Sequence, residues 1–442
     1  MSRVGGMLCG LLCALTMSCG PEDRSVLDAA SAATVPVPVT PPAATATAIA
    51  AEPSASAAPP APAADTWLDT TLRAADPRWA DWLADAPNLR LQILVTIVTP
   101  EGTFESHELR ADAEYFYPAS AIKTLLAISA LRTLSQKIGS DVNLATKIER
   151  CREDRPGCEP PEEDEDDKER RADGKKKHEK LRVGEEISKM LSYSDNDSYN
   201  RLYDIVGHRE LNEDMAKLGL ASVRFHHRMS APADQSRTTL RTVLLPPGKK
   251  PITIPKRKSD FEPAPTPATN LLVGTAYKDR KGLVEEPLSF ATKNYVSLHD
   301  LQRVNVSLLF PGRPEGIDLG LSEAQRKHIV SAMTQNLRAQ KRAAEHGPLS
   351  PGLLEVLPAD RLVYIAKSGR AYGFHLENAF IKDTESGRGF FVTATVYSNP
   401  DGVLNDDDYG YDEVTRPLLA SLGQALGRAI LAPTTERANE AP

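Results

Sequence analysis

With 442 residues the chain can hold one large domain or two ordinary ones. Its net charge of -7, from 53 basic and 60 acidic residues, gives no hint of nucleic-acid binding. Nothing beyond the N-terminus is apolar for long enough to read as a membrane span.

Met1 to Ser18 reads as a secretory signal, with Arg3 as its positive region and Val4 to Thr16 as its apolar core. Leu15-Thr16-Met17-Ser18-Cys19-Gly20 looks like a bacterial lipoprotein cleavage box, in which Cys19 becomes the lipidated first residue. Leu15 stands one place further from the cysteine than the usual pattern puts it, and the other reading is an ordinary cleaved signal. The expectation is an exported, lipid-anchored protein at the periplasmic face of the outer membrane. Residues 20–65 are Ala, Pro, Thr and Ser with almost no large apolar side chain, so they cannot bury enough surface to fold. They read as a tether spanning roughly 40 Å as a flexible coil.

The folded domain is expected over 66–432, with a disordered tail at 433–442. A helical stretch carries Leu68, Leu72, Trp79 and Trp82. Leu89 to Thr99 is rich in β-branched residues and turns at Pro100-Glu101-Gly102, predicting a hairpin with Thr103 to Leu109. Phe116 to Leu131 is apolar on nearly every face, which predicts a central helix running to about Lys137. Its first turn carries Ser120 and Lys123, three positions apart and so on one face. Pro118 prevents the helix from extending backwards and places Ser120 near the N-terminus, where the dipole favours developing negative charge. A serine beside a lysine there is a candidate nucleophile with its activator. Taken alone, the pair reads first as a helix cap and a snorkelling lysine, since about one Ser-x-x-Lys arises by chance in a chain this long.

Cys151 and Cys158, seven positions apart, can close a small loop in an oxidising compartment. A metal site is the competing reading, but no nearby cysteine or histidine pair completes four ligands. Residues 151–180 form a charge block that reads as a solvated loop. Helices are predicted from Val183, over Ser198 to Val206, and from His208 to Leu218. Ala231 to Pro287 is rich in proline and reads as a long, largely irregular excursion. Ser297-Leu298-His299-Asp300 and Ser322-Glu323-Ala324-Gln325 look like capping boxes opening two more helices. Strands at Arg361 to Ser368, Tyr372 to Ile381 and Phe390 to Tyr397 predict a meander, and Asp412 to Ala429 a terminal helix. Two strands early and three late predict one mixed antiparallel sheet of about five strands, an α+β domain whose helical cluster carries Ser120.

Ser194-Asp195-Asn196 follows a helix end, and Lys367-Ser368-Gly369 lies at a strand end. With Ser-x-x-Lys, in this order, the set matches the boxes of class A β-lactamases and penicillin-binding proteins. From Leu89 to Ala429 the sequence resembles that superfamily, closest to its class A branch. The resemblance implies Ser120 as the acylated nucleophile and Lys123 as its base. It gives Ser194 a proton relay and Asn196 a hydrogen bond to the substrate amide. It assigns Lys367 and Ser368 to a substrate carboxylate, Gly369 to close approach of the ligand, and the N–H groups of Ser120 and Arg370 to the oxyanion. The substrates implied are β-lactams or D-alanyl peptides of peptidoglycan, handled by a monomer without metal or cofactor. Class A enzymes also carry a deacylating glutamate within Glu-x-x-Leu-Asn. Here Ser230 stands in its place, in Arg228-Met229-Ser230-Ala231-Pro232, and only Glu262, Glu285 and Glu286 lie downstream as substitutes. Three activities remain open on sequence: a β-lactamase-like hydrolase, a penicillin-binding D-alanyl peptidase, and a non-catalytic cell-wall-binding lipoprotein. His226-His227 reads as an exposed or capping pair, and Asn405 to Asp412 as a solvated turn with only a loose likeness to a calcium loop.

Overall fold

The computed structural model describes residues 65–139, 141–150, 181–230, 235–338 and 347–432. The signal, residues 20–64 of the tether, Cys19, the Cys151–Cys158 pair, the charge block and the tail lie outside the described residues, whereas Asp65, expected in the tether, caps helix Thr66–Ala75 by accepting from the Leu68 N–H.

The organising element is an antiparallel sheet. Its strands run in the order Leu362–Ala366, Phe374–Asp383, Gly389–Tyr397, Gln92–Val98, Phe104–Leu109, and Gly369–Ala371 pairs with Phe374–Asp383. The meander and the hairpin are joined where Ile93 faces Ala394 on one side and Leu109 on the other. Side chains alternate between two buried faces. Ile93, Val95, Ala379 and Ile381 point to a core shared with helices Thr66–Ala75 and Arg416–Leu426. Leu94, Val98, Leu376 and Phe380 point to a larger core that holds helix Lys123–Arg132 and the helices packed around it. The sheet is therefore the middle layer, which explains why its central strands are apolar almost throughout.

In the larger core the helix Lys123–Arg132 has every residue from Lys123 to Leu131 buried. Around it pack Val183–Ser192, Asn196–Val206 and His208–Lys217. Helix Leu298–Leu309 opens on Ser297, whose hydroxyl accepts from Asp300 N–H. That box is only half closed: the Asp300 carboxylate accepts from the Ser222 N–H and hydroxyl instead of reaching back. The second box is complete, with Ser322 and Gln325 capping each other.

The proline-rich excursion is more ordered than expected. It contains Thr242–Leu245 paired with Ile252–Ile254, and Ala276–Asp279 paired with Gly282–Val284. The prolines explain the difference by their positions. Pro246 and Pro247 follow one strand, and Pro251 and Pro255 flank the next, so no ladder N–H is lost between them. Ala276–Asp279 also pairs in parallel with Val403–Leu404, tying the excursion to the segment that follows the meander.

Candidate active site

Ser120 lies in a single 3-10 turn, Ala119–Ile122, that leads into the buried helix. In a 3-10 turn positions i and i+3 eclipse, so Ser120 and Lys123 share a face more closely than in an α-helix. Ala119, just before the serine, has φ 45°, a strained value for a residue with a Cβ. The same region of φ is adopted by Ser194, Ser230, Tyr372, Asn405 and Asp407. All these residues except Ser194 line one cavity of about 760 Å³ onto which Ser120 opens.

The nucleophile turn is held against the sheet by Gly369. A Cβ there would collide with the Pro118 carbonyl oxygen and stand 2.9 Å from the Ala121 nitrogen and 3.0 Å from the Ser120 nitrogen. The close approach seen at Gly369 is to the backbone of the Ser120 turn.

Three elements converge behind Ser120. Lys123 Nζ donates to Asn196 Oδ1 at 2.6 Å, to the Ser194 carbonyl, and to Ser194 Oγ at 3.3 Å. Lys367 Nζ donates to the same Ser194 Oγ at 3.2 Å and to the Ser368 carbonyl at 3.0 Å. One hydroxyl thus stands between two ammonium groups, both buried. Burial, and then the charge of Lys367, lower the Lys123 pKa to about 7. Burial lowers that of Lys367 to about 8, against the pull of the buried Glu377 carboxyl. Near neutrality the site can therefore hold one lysine neutral and one charged, a base and a cation side by side. Ser120 Oγ has no hydrogen-bond partner among the described residues, and so is free to meet a ligand.

Asn196 connects this cluster to the loop that carries Ser230, because its Nδ2 donates to Ser230 Oγ at 2.9 Å. That loop is firmly built. Asn200 donates to the Met229 carbonyl at 2.9 Å and accepts from its N–H at 3.3 Å. Asn294 Oδ1 accepts from the N–H groups of His226 and His227 at 2.8 and 3.1 Å. Arg228 is buried and ion-paired with Asp204. The loop presents its tip to the cluster, but the tip is a hydroxyl. The three glutamates considered as substitutes do not line the cavity. Glu262 is exposed and paired with Arg237, and Glu285 and Glu286 are exposed on the excursion.

Two expectations change here. His226 and His227 are half-buried on the cavity wall rather than exposed or capping, and burial lowers both imidazoles to about 4, so they are neutral. Asn405 to Asp412 is not merely a solvated turn, since Asn405, Asp407, Tyr409 and Tyr411 form a wall of the cavity. Sequence reasoning also missed Lys293 and Tyr372, which meet on the wall of the same cavity. The nearest signal was the density of tyrosines around Gly410. Among the described residues no group of three or more histidines, cysteines or carboxylates is arranged to hold a metal.

Residues 81–255 match the model of the beta-lactamase enzyme family, a span that takes in Ser120, Lys123, Ser194, Asn196 and Ser230. No curated protein matches the chain. Among solved structures the chain is similar to a β-lactamase from Streptomyces albus G, at 16% identity and TM-score 0.46, covering 80% of this chain and 99% of that one. It is similar also to a β-lactamase from Burkholderia vietnamiensis, at 14% identity and TM-score 0.46, covering 85% and 97%. A class A β-lactamase from Clostridium kluyveri gives 14% identity and TM-score 0.44, covering 80% and 99%.

Proposed function

We propose that the chain, whose residues 81–255 match the beta-lactamase enzyme family, is a serine acyl-transfer enzyme acting on β-lactams or the D-alanyl peptides they mimic. The observation that carries this reading is the placement of Ser194 Oγ between Lys123 and Lys367. Neutral Lys123 takes the Ser120 proton as Oγ attacks the carbonyl carbon, and the new C–O ester bond forms as the amide C–N bond breaks. Ser194 accepts from both lysines, so its own proton is free to point at the leaving nitrogen. Charged Lys367, with the Ser368 hydroxyl, holds the substrate carboxylate. The first-turn N–H of Ser120, unpaired within its helix, and the N–H of Arg370 face the developing oxyanion.

A specific observation favours a long-lived acyl-enzyme over rapid turnover. The loop that approaches Asn196 brings Ser230 and no carboxylate, so water bound there has no strong base beside it. The reading is therefore closer to a penicillin-binding peptidase than to an efficient β-lactamase. The acyl-enzyme lifetime tests it: an adduct with benzylpenicillin that persists for minutes or longer supports this reading, and ring-opened product released within seconds refutes it. Export and a lipid anchor at Cys19 belong to the same proposal. Incorporation of labelled palmitate, lost in Cys19→Ala, is the expected result, and unlabelled parent protein would remove the anchor from the account.

A further inference from the structure

The cations on the cavity wall are not equally matched. Arg228 is paired with Asp204, and Arg237 with Glu262. Lys293 and Arg370 have no carboxylate partner among the described residues, and Asp407 is the only carboxylate on the wall among them. Each free cation rests instead on a tyrosine. Lys293 Nζ is 5.2 Å from the Tyr372 ring centroid and donates to its hydroxyl at 3.4 Å. The Arg370 guanidinium carbon is 5.0 Å from the Tyr411 centroid.

Both rings are fixed before any ligand arrives. Tyr372 meets Tyr117 and Phe290 edge-on, with centroids 5.2 and 5.5 Å away, and its φ of 57° aims it from a strained backbone. Tyr411 accepts from the Gly373 N–H at 2.9 Å. A cation on an aromatic face is partly desolvated yet keeps donors open to the cavity. Lys293 is half-buried and Arg370 exposed, and charged donors of this kind make stronger hydrogen bonds to a carboxylate than neutral ones do.

We propose that the cavity is built for substrates carrying a second anionic group, a carboxylate on the acyl side that Lys293 and Arg370 hold over Tyr372 and Tyr411. The inference deepens the acyl-transfer reading and rests on it. It predicts a preference for dianionic acyl donors over monoanionic ones of the same size. Two charge-assisted hydrogen bonds at a half-open site correspond to a preference of roughly tenfold or more.

The test compares benzylpenicillin with its α-carboxy analogue on the full chain, reading the second-order rate of adduct formation by intact mass. The dianion is expected to react about tenfold faster at low salt, with the ratio shrinking as salt screens the contact. In Lys293→Met and in Arg370→Met the ratio should fall towards one. Equal rates in the parent protein, or a ratio that neither variant moves, overturn the second-anion proposal and leave acylation at Ser120 standing. No adduct with either compound overturns the acyl-transfer reading and this proposal together.

Discussion

Lys123→Met is expected to slow acylation of Ser120 by roughly 10²–10⁴-fold, the range for loss of a positioned general base. Methionine keeps most of the buried volume, so the fold should survive, although Asn196 Oδ1 and the Ser194 carbonyl lose their donor. The pH profile separates a chemical role from a structural one. Burial and Lys367 lower Lys123 to about 7, so the neutral, base-competent form grows as pH rises through that value. Lys367 must stay charged to hold a carboxylate, and that charge is lost as pH rises through about 8. The parent protein should therefore acylate fastest in a narrow band between about 7 and 8. In Lys123→Met the rising limb should vanish while the falling limb stays. A stopped-flow series across pH checks this, and an unchanged rising limb would assign it to another group.

Ser230→Glu should convert a persistent acyl-enzyme into a hydrolysing one. Ser230 is exposed to the cavity and touches Asn196, so one added methylene and a carboxylate have room and a donor. A base there can draw a proton from water attacking the ester, which shortens the adduct lifetime by roughly 10²–10⁴-fold. The carboxylate also acts on Lys123. An opposite charge nearby favours the ammonium, so the acylation optimum should move to higher pH. Adduct lifetime by intact mass, with product counted separately, checks both halves. A lifetime equal to the parent's would show that the Ser230 loop does not face the ester.

Much of this site could be read in the sequence because its chemistry is compact. Ser120, Lys123, Ser194, Asn196 and Lys367 each sit in a short box at a helix start or strand end, and local signals position those ends. The sheet was equally legible, since its strands are long, apolar and joined by short turns. The cavity walls were not. Tyr411 is brought beside the Tyr372 turn by its hydroxyl, which accepts from the Gly373 N–H, a contact with no local signature. The excursion was misread for the same reason. The strand Ala276–Asp279 gains its partner Val403–Leu404 from the far end of the chain, while the prolines around it advertise only turns. Gly369 shows a different limit: its need for a bare Cα was foreseeable, but the neighbour that imposes it, the Pro118 carbonyl, is a fact of packing.

The central claim is that Ser120 is the acylated nucleophile. Intact mass after exposure to benzylpenicillin, with peptide mapping of the adduct, tests it most directly. The account predicts a mass increase equal to one whole penicillin, carried on the peptide containing Ser120 and absent from Ser120→Ala. An adduct retained in Ser120→Ala, or none in the parent protein with penicillins and D-alanyl peptides alike, would contradict it.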